Sequence, residues 1–229
     1  MKAAYPLLLC LGLAAPAAAQ LPDDVPLGVE ALTGLRSAYN FRGQEVSDAL
    51  LDFQLQTEVS LSDELFLNLG GLYAAEGSGD FREASAFASL QREMGNLTLS
   101  GLLTYRGFDS PLLDSGLELG AHLTYSHSED LSLDGSLVYD TGADSFYAEL
   151  GADYSQVLSD SAYWSARAWV GAADDYYDLS GLVSVGIRLS LTYNVNSQVS
   201  LTPFLTAEGS GDPDGDTTLS AGLWFAVSF

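Results

Sequence analysis

The closing stretch of the chain reads Thr217-Thr218-Leu219-Ser220-Ala221-Gly222-Leu223-Trp224-Phe225-Ala226-Val227-Ser228-Phe229. From Leu219 onward the odd positions are all apolar, while the even positions are mostly small or polar. Successive side chains on a strand point to opposite faces, so this segment has one apolar wall and one polar wall. It then stops on a phenylalanine. A sheet packed on a soluble core would leave that ring in water. In a closed barrel that crosses a bilayer, the same strand pairs with the first and sets its last ring at the headgroup level.

The rest of the chain repeats this unit. Apolar and polar residues alternate in segments of about ten residues, separated by turn-forming Ser, Asp, Asn and Gly, as transmembrane strands require. The first segment covers residues 27–41 and is followed by a loop at 43–49. Later segments cover 51–61, 65–75, 84–94, 97–106, 117–125, 131–139, 146–154, 162–172, 179–193 and 199–207, before the closing strand. Short turns such as Gly95-Asn96 alternate with longer acidic loops such as residues 208–216. The expectation is an all-β fold: an up-and-down antiparallel barrel of twelve strands, with ten or fourteen as alternatives. Its turns would face the periplasm and its loops the exterior. The competing all-β reading is a secreted sandwich or lipocalin-like barrel. In those folds the apolar wall points inward.

Aromatic residues fall at both ends of the apolar wall. Tyr39, Phe41, Tyr73, Tyr105, Tyr139 and Phe146 lie at loop ends, and Tyr125, Tyr154, Trp164, Tyr193 and Phe229 at turn ends. Two such girdles mark the two headgroup levels of a membrane.

Residues 1–19 read as a secretory leader. Lys2 is its basic start, residues 7–13 its apolar core and Ala17-Ala18-Ala19 its cleavage site. Residues 20–26 form a short periplasmic lead-in, and the barrel occupies residues 27–229. Cys10 lies in the leader, so the mature chain has no cysteine for a disulfide. Without Lys2, seven arginines face 31 Asp and Glu, a formal charge of −24. Phosphate binding needs a basic surface, so nucleic acid is excluded as a partner. No cofactor is expected.

On the polar wall, Arg36, Arg42, Arg106, Arg167 and Arg188 point into the lumen. So do Glu118, Asp134, Glu149 and Asp153, which fall on three consecutive strands, the sixth to the eighth. An acidic sector beside a basic one would place a transverse field across an aqueous constriction and set ion selectivity. The alternative is that these charges simply pair in a narrow lumen. His122, beside Asp134 with Ser132 and Ser136 near, superficially suggests a Ser-His-Asp hydrolase. Its mid-strand position in the lumen favours a hydrogen-bonding role instead. In the last loop Asp212, Asp214 and Asp216 alternate around glycines, as oxygen ligands of calcium do, but no bidentate glutamate follows. A solvated acidic loop is the simpler reading.

Two resemblances add to this. The closing strand, through Leu223, Phe225, Val227 and Phe229, resembles the C-terminal assembly signal of bacterial outer-membrane β-barrels. That resemblance implies a Gram-negative outer membrane, with its lipid and the barrel-assembly machinery as partners. The run Ser37-Ala38-Tyr39-Asn40-Phe41-Arg42-Gly43 resembles the Tyr-x-Phe-Arg-Gly run after the first strand of a proteobacterial outer-membrane barrel family that has no assigned activity. Its expected physical content is an aromatic at the girdle, an inward arginine and a loop-opening glycine. The functional expectation is a non-enzymatic, porin-like channel for small polar solutes or ions, monomeric or a small homo-oligomer. The alternative is a closed structural or surface-interaction barrel acting through its acidic loops, with an outer-membrane hydrolase less favoured.

Overall fold

A computed structural model describes residues 27–210 and 216–229. The leader, the lead-in at 20–26, and Asp212 and Asp214 of the acidic loop lie outside the described residues. The strands are β1 (Leu27–Arg36), β2 (Tyr39–Phe41), β3 (Gln44–Ser47), β4 (Leu50–Ser62), β5 (Leu65–Glu76), β6 (Arg82–Met94) and β7 (Leu97–Asp109). They continue with β8 (Gly116–Ser126), β9 (Leu131–Asp140), β10 (Ser145–Ser159), β11 (Ala162–Tyr176), β12 (Leu179–Asn194), β13 (Val199–Gly209) and β14 (Thr217–Ser228). All but β2 and β3 form one closed antiparallel barrel, which is therefore twelve-stranded, and β2–β3 is a separate hairpin. Closure joins β14 to β1, with Trp224 opposite Gly34 and Val227 opposite Ala31. The pairing continues to the final residue, whose N–H donates to the Val29 carbonyl at 2.8 Å. Among the described residues closure leaves the barrel itself with no unpaired strand edge, the condition for a sheet inside hydrocarbon.

The outer wall is apolar. Leu35, Leu55, Leu103, Leu119, Leu137, Leu150, Leu189, Leu205 and Leu219 are all exposed, and Leu219 is 76% exposed. Such a band is what a bilayer covers and water does not. Tyr73, Tyr105 and Phe146 stand exposed at one rim, with Tyr125, Tyr154, Tyr193 and Phe229 at the other.

The inner wall carries large rings, and glycines on neighbouring strands make room for them. A side chain at Gly222 would collide with the Phe204 ring, and one at Gly34 with Trp224. Those two rings stack with centroids 3.9 Å apart and are both buried. The glycines thus let the rings lie along the wall instead of crossing the lumen.

The first strand corrects the sequence reading. The strand ends at Arg36, and Tyr39 and Phe41 belong to the hairpin β2–β3. They are not in the outer girdle: they are 4% and 1% exposed. Together with Leu50, Leu72, Phe81, Leu113, Tyr147, Tyr176 and Val183 they form a buried apolar cluster. The hairpin therefore folds into the mouth. Phe41 is paired with Gln44, so Arg42-Gly43 is a two-residue connection, and both residues have positive φ (51° and 96°). That is the geometry of a tight hairpin turn, and it explains glycine at the second position. A side chain at Gly43 would also strike the Val183 carbonyl of β12.

Candidate functional site

The loop-end half of the barrel holds a buried charge cluster built around the hairpin tip. Arg42 crosses the mouth and places Nη1 2.9 Å from Glu118 on β8 and 3.8 Å from Asp140 on β9. It also donates to the Tyr176 hydroxyl on β11. Its guanidinium carbon lies 4.9 Å from the Tyr147 ring centre and 5.3 Å from that of Tyr176. The Gln44 amide secures the same edge by donating to the Tyr177 carbonyl at 2.8 Å. Burial works against the charge of Arg42. The negative Glu118 and neighbouring tyrosines more than offset it, leaving the pKa above the ordinary arginine value.

Glu118 is shared. Arg106 on β7 approaches it at 2.6 Å and Glu83 on β6 at 2.8 Å. Tyr176 in turn donates to Asp140 at 2.7 Å. Arg106, Glu83 and Asp140 are almost fully buried. Two arginines and three carboxylates from a hairpin and four strands thus meet in a space closed to bulk water. One unpaired charge there would be strongly unfavourable, so the members hold one another in place.

Deeper in the lumen, Arg167 on β11 reaches back over β10 and β9. It contacts Asp134 at 2.9 Å and Glu149 at 3.2 Å, and pairs with Asp153 directly opposite it in the register. The Tyr147 hydroxyl donates to Glu149 at 2.7 Å. His122 Nε2 lies 3.4 Å from the same Asp134. Asp134 is thereby held by an arginine, as a residue in a lumen network is.

The remaining two of the five inward arginines flank the opposite side. Arg36 pairs with Asp52 on β4. Arg188 on β12 donates through Nε to the Thr206 hydroxyl at 3.0 Å. Its guanidinium carbon sits 5.1 Å from the Trp224 ring centre, 5.3 Å from that of Phe204 and 5.7 Å from that of Trp169. These are cation–π distances. The hairpin packs against residues from β4 round to β12, Thr218 on β14 donates to Glu45 of β3, and a small pocket remains beside β1 and β12–β14. The pocket is lined by Arg36, Asn40, Arg188, Thr206, Glu208 and Thr218, among others.

The nine candidate charges therefore do not form one acidic sector and one basic sector. Arg42 and Arg106 sit with Glu118, Arg167 sits among Asp134, Glu149 and Asp153, and Arg36 and Arg188 border the pocket. Sequence reasoning missed Asp52, Glu83, Asp140, Tyr176 and Glu208 as site residues. Asp140, Tyr176 and Glu208 fell in segments read as loops, yet the strands run through them. Asp216 borders β14, and the other two aspartates of the acidic loop are not described.

No protein-family model matches this sequence, and no curated protein matches it. Solved structures do. The KdgM porin aligns with a TM-score of 0.56 at 9% identity, covering 88% of this chain and 99% of that one. An outer membrane channel from Pseudomonas putida F1 aligns at 0.57 and 14% identity, covering 94% and 98%. The translocator domain of autotransporter NalP from Neisseria meningitidis aligns at 0.54 and 15%, covering 100% and 97%. At such identities the likeness is one of architecture, and the architecture agrees with the apolar outer band and the closed register: this chain has the fold of the outer-membrane β-barrels.

Proposed function

We propose that the protein is a narrow, porin-like channel for small polar solutes or ions in the outer membrane of a Gram-negative bacterium. The observation that carries this reading is the off-centre pocket. The hairpin packs against residues from β4 round to β12, while a small polar, charged recess remains beside β1 and β12–β14. Below it the inner wall continues with Thr192, Thr202, Gln54, Gln56 and Glu30, among other polar groups. Rings of such groups select what passes an aqueous constriction. The KdgM porin, which shares the fold, has been solved in complex with disordered oligogalacturonate. That supports solute passage as a use of this architecture.

Within this reading Arg36 and Arg188 border the conducting path, and Arg42, Arg106, Arg167, Glu118, Asp134, Glu149 and Asp153 brace the opposite wall. Leu223, Phe225, Val227 and Phe229 serve as the signal read by the assembly machinery. The Tyr-x-Phe-Arg-Gly resemblance gains a physical rationale: ring, ring, latch and tight turn of an inward hairpin. Calcium at Asp212, Asp214 and Asp216 is a subsidiary proposal, tested by calcium titration of the purified barrel.

A second reading is favoured by the buried Arg42–Glu118 cluster: a barrel closed at rest, acting through its surface loops. Conductance of the purified protein in planar bilayers separates the two. Discrete current steps with solute-dependent blockade are expected of the channel. A correctly folded barrel that never conducts overturns it.

A further inference from the structure

We infer that the β2–β3 hairpin is a hinged gate, and that the two-residue turn Tyr177–Asp178 between β11 and β12 is the catch that holds it shut. The inference rests on the channel reading, because a gate needs a path to close.

The hairpin can move without unzipping the barrel. It shares no ladder with the other strands, and two-residue connections, 37–38 and 48–49, join it to β1 and β4. In the described position it fills the mouth. Tyr39 and Phe41 belong to one buried cluster with residues of β4, β5, β10, β11 and β12, and Thr218 on β14 donates to Glu45. The recess left beside Arg36 and Arg188 has room for about one water. Passage of anything larger on this side requires the hairpin to swing away.

The catch lies beside it. Tyr177 and Asp178 form the whole connection between β11 and β12, and both have positive φ, 49° and 65°. Asp175, just before them, is also left-handed at 59°. A two-residue turn with positive φ at both positions favours Asn-Gly or Asp-Gly, and a bulky ring is a clear exception there. This tyrosine is kept by what it touches. Its hydroxyl donates to the Asp114 carbonyl in the β7–β8 loop at 2.9 Å, and its carbonyl accepts from Gln44 of the hairpin at 2.8 Å. Its ring packs edge-on against Tyr176, whose hydroxyl accepts from Arg42. The contacts that hold the unfavourable turn thus also hold the hairpin, and the two let go together. The left-handed backbone weighs against the closed state and relaxes in the open one, which keeps the two close enough in free energy to exchange.

Two substitutions in the turn should move the gate in opposite directions. Asp178 is exposed, so Asp178→Gly removes left-handed cost without removing a contact to the hairpin. Tyr177→Phe removes the hydroxyl that reaches Asp114. Opening is read in lipid vesicles by the rate at which an impermeant thiol reagent modifies Val46→Cys. Val46 packs on the buried cluster, and residues 27–229 contain no cysteine. The rate should fall about fivefold with Asp178→Gly and rise about fivefold with Tyr177→Phe, the factor that about 1 kcal/mol gives. Heat-shifted mobility on a gel confirms folding, and Asp178→Gly decides alone if Tyr177→Phe does not fold. Any pattern other than opposite shifts in the folded variants overturns the catch. A Val46→Cys thiol modified as fast as an unstructured one, or never modified, overturns the gate.

Current in planar bilayers separates the gate from the channel. Linking Glu45→Cys to Thr218→Cys with a short, reducible bis-thiosulfonate should stop the current, and reduction should restore it. A conducting barrel that the cross-link does not affect keeps the channel and loses the gate. A barrel with the expected modification rates that never conducts keeps the hinged hairpin and its catch and loses the channel.

Discussion

The Arg42 guanidinium lies 2.9 Å from the Glu118 carboxylate, although one residue is the tip of a hairpin that leaves β1 and the other belongs to the wall across the mouth. The contact latches the hairpin in place. Arg42→Ala should release it while leaving Glu118 neutralised by Arg106 at 2.6 Å. Loss of the buried, charge-assisted hydrogen bonds should lower stability by about 1.5–3 kcal/mol. Single-channel conductance should rise, and the hairpin should become cleavable by protease. Arg42→Lys should give an intermediate result, since it keeps the charge but not the planar fork. Unchanged conductance in Arg42→Ala would show that the hairpin does not restrict the path.

The pairing of Phe204 with Gly222 predicts a packing effect. A Cβ at position 222 has no room beside that ring. Gly222→Val should cost about 1–3 kcal/mol by overpacking and push the ring towards the lumen. Adding Phe204→Ala should recover part of that loss, because two residues in contact are not additive. Denaturant unfolding in lipid vesicles measures both. Strict additivity would mean that ring and glycine do not share the space.

Most of the barrel was legible in the sequence because a period of two is a strong signal when one face meets lipid. Leu35, Leu119 and Leu219 could not be turned inward without moving a whole strand. The site was less legible. Tyr39 and Phe41 keep the outward parity of β1, so nothing in the alternation marks the break after Arg36. The available signal was Arg42-Gly43, a two-residue connection between short extended runs, with glycine where φ is positive. Asp140, Tyr176 and Glu208 were obscured differently. An inward polar residue near a strand end, beside acids and glycines, has the surroundings of a solvated loop, and only the register of its neighbours distinguishes them. The grip of Arg167 on Asp134 spans β9 to β11 and depends on side-chain reach, which one strand's sequence does not contain.

Phe229 pairs with Val29 through backbone hydrogen bonds in both directions, at 2.8 and 3.5 Å. Its ring is 59% exposed on the outer surface. Deleting it should remove an interfacial anchor and the last rung of barrel closure. Assembly should then slow in vesicles, and the level reaching the outer membrane should fall. Phe229→Tyr should preserve both, since either ring suits the headgroup level. Normal levels of the truncated protein would deny the terminal residue a role in closure.

Leu189 and Arg188 are neighbours on β12 and face opposite solvents. Leu189 is 49% exposed on the outer wall, whereas Arg188 lies over Trp169, Phe204 and Trp224 and bonds Thr206. Leu189→Arg should destabilise the barrel by about 2–4 kcal/mol if it lies near the bilayer midplane. Arg188→Leu keeps an apolar stem against the rings but loses the cation–π contacts, each worth about 0.5–2 kcal/mol. That loss should be partly recovered by the packing of leucine on the same aromatics. Arg188→Leu should also leave Glu208 dominant in the pocket and shift selectivity towards cations. Unfolding in vesicles compares the two stabilities, and reversal potential in a salt gradient reads the selectivity. Equal tolerance of both substitutions would contradict the assignment of faces. A stable Arg188→Leu barrel that conducts with unchanged selectivity would keep the fold and place Arg188 off the conducting path.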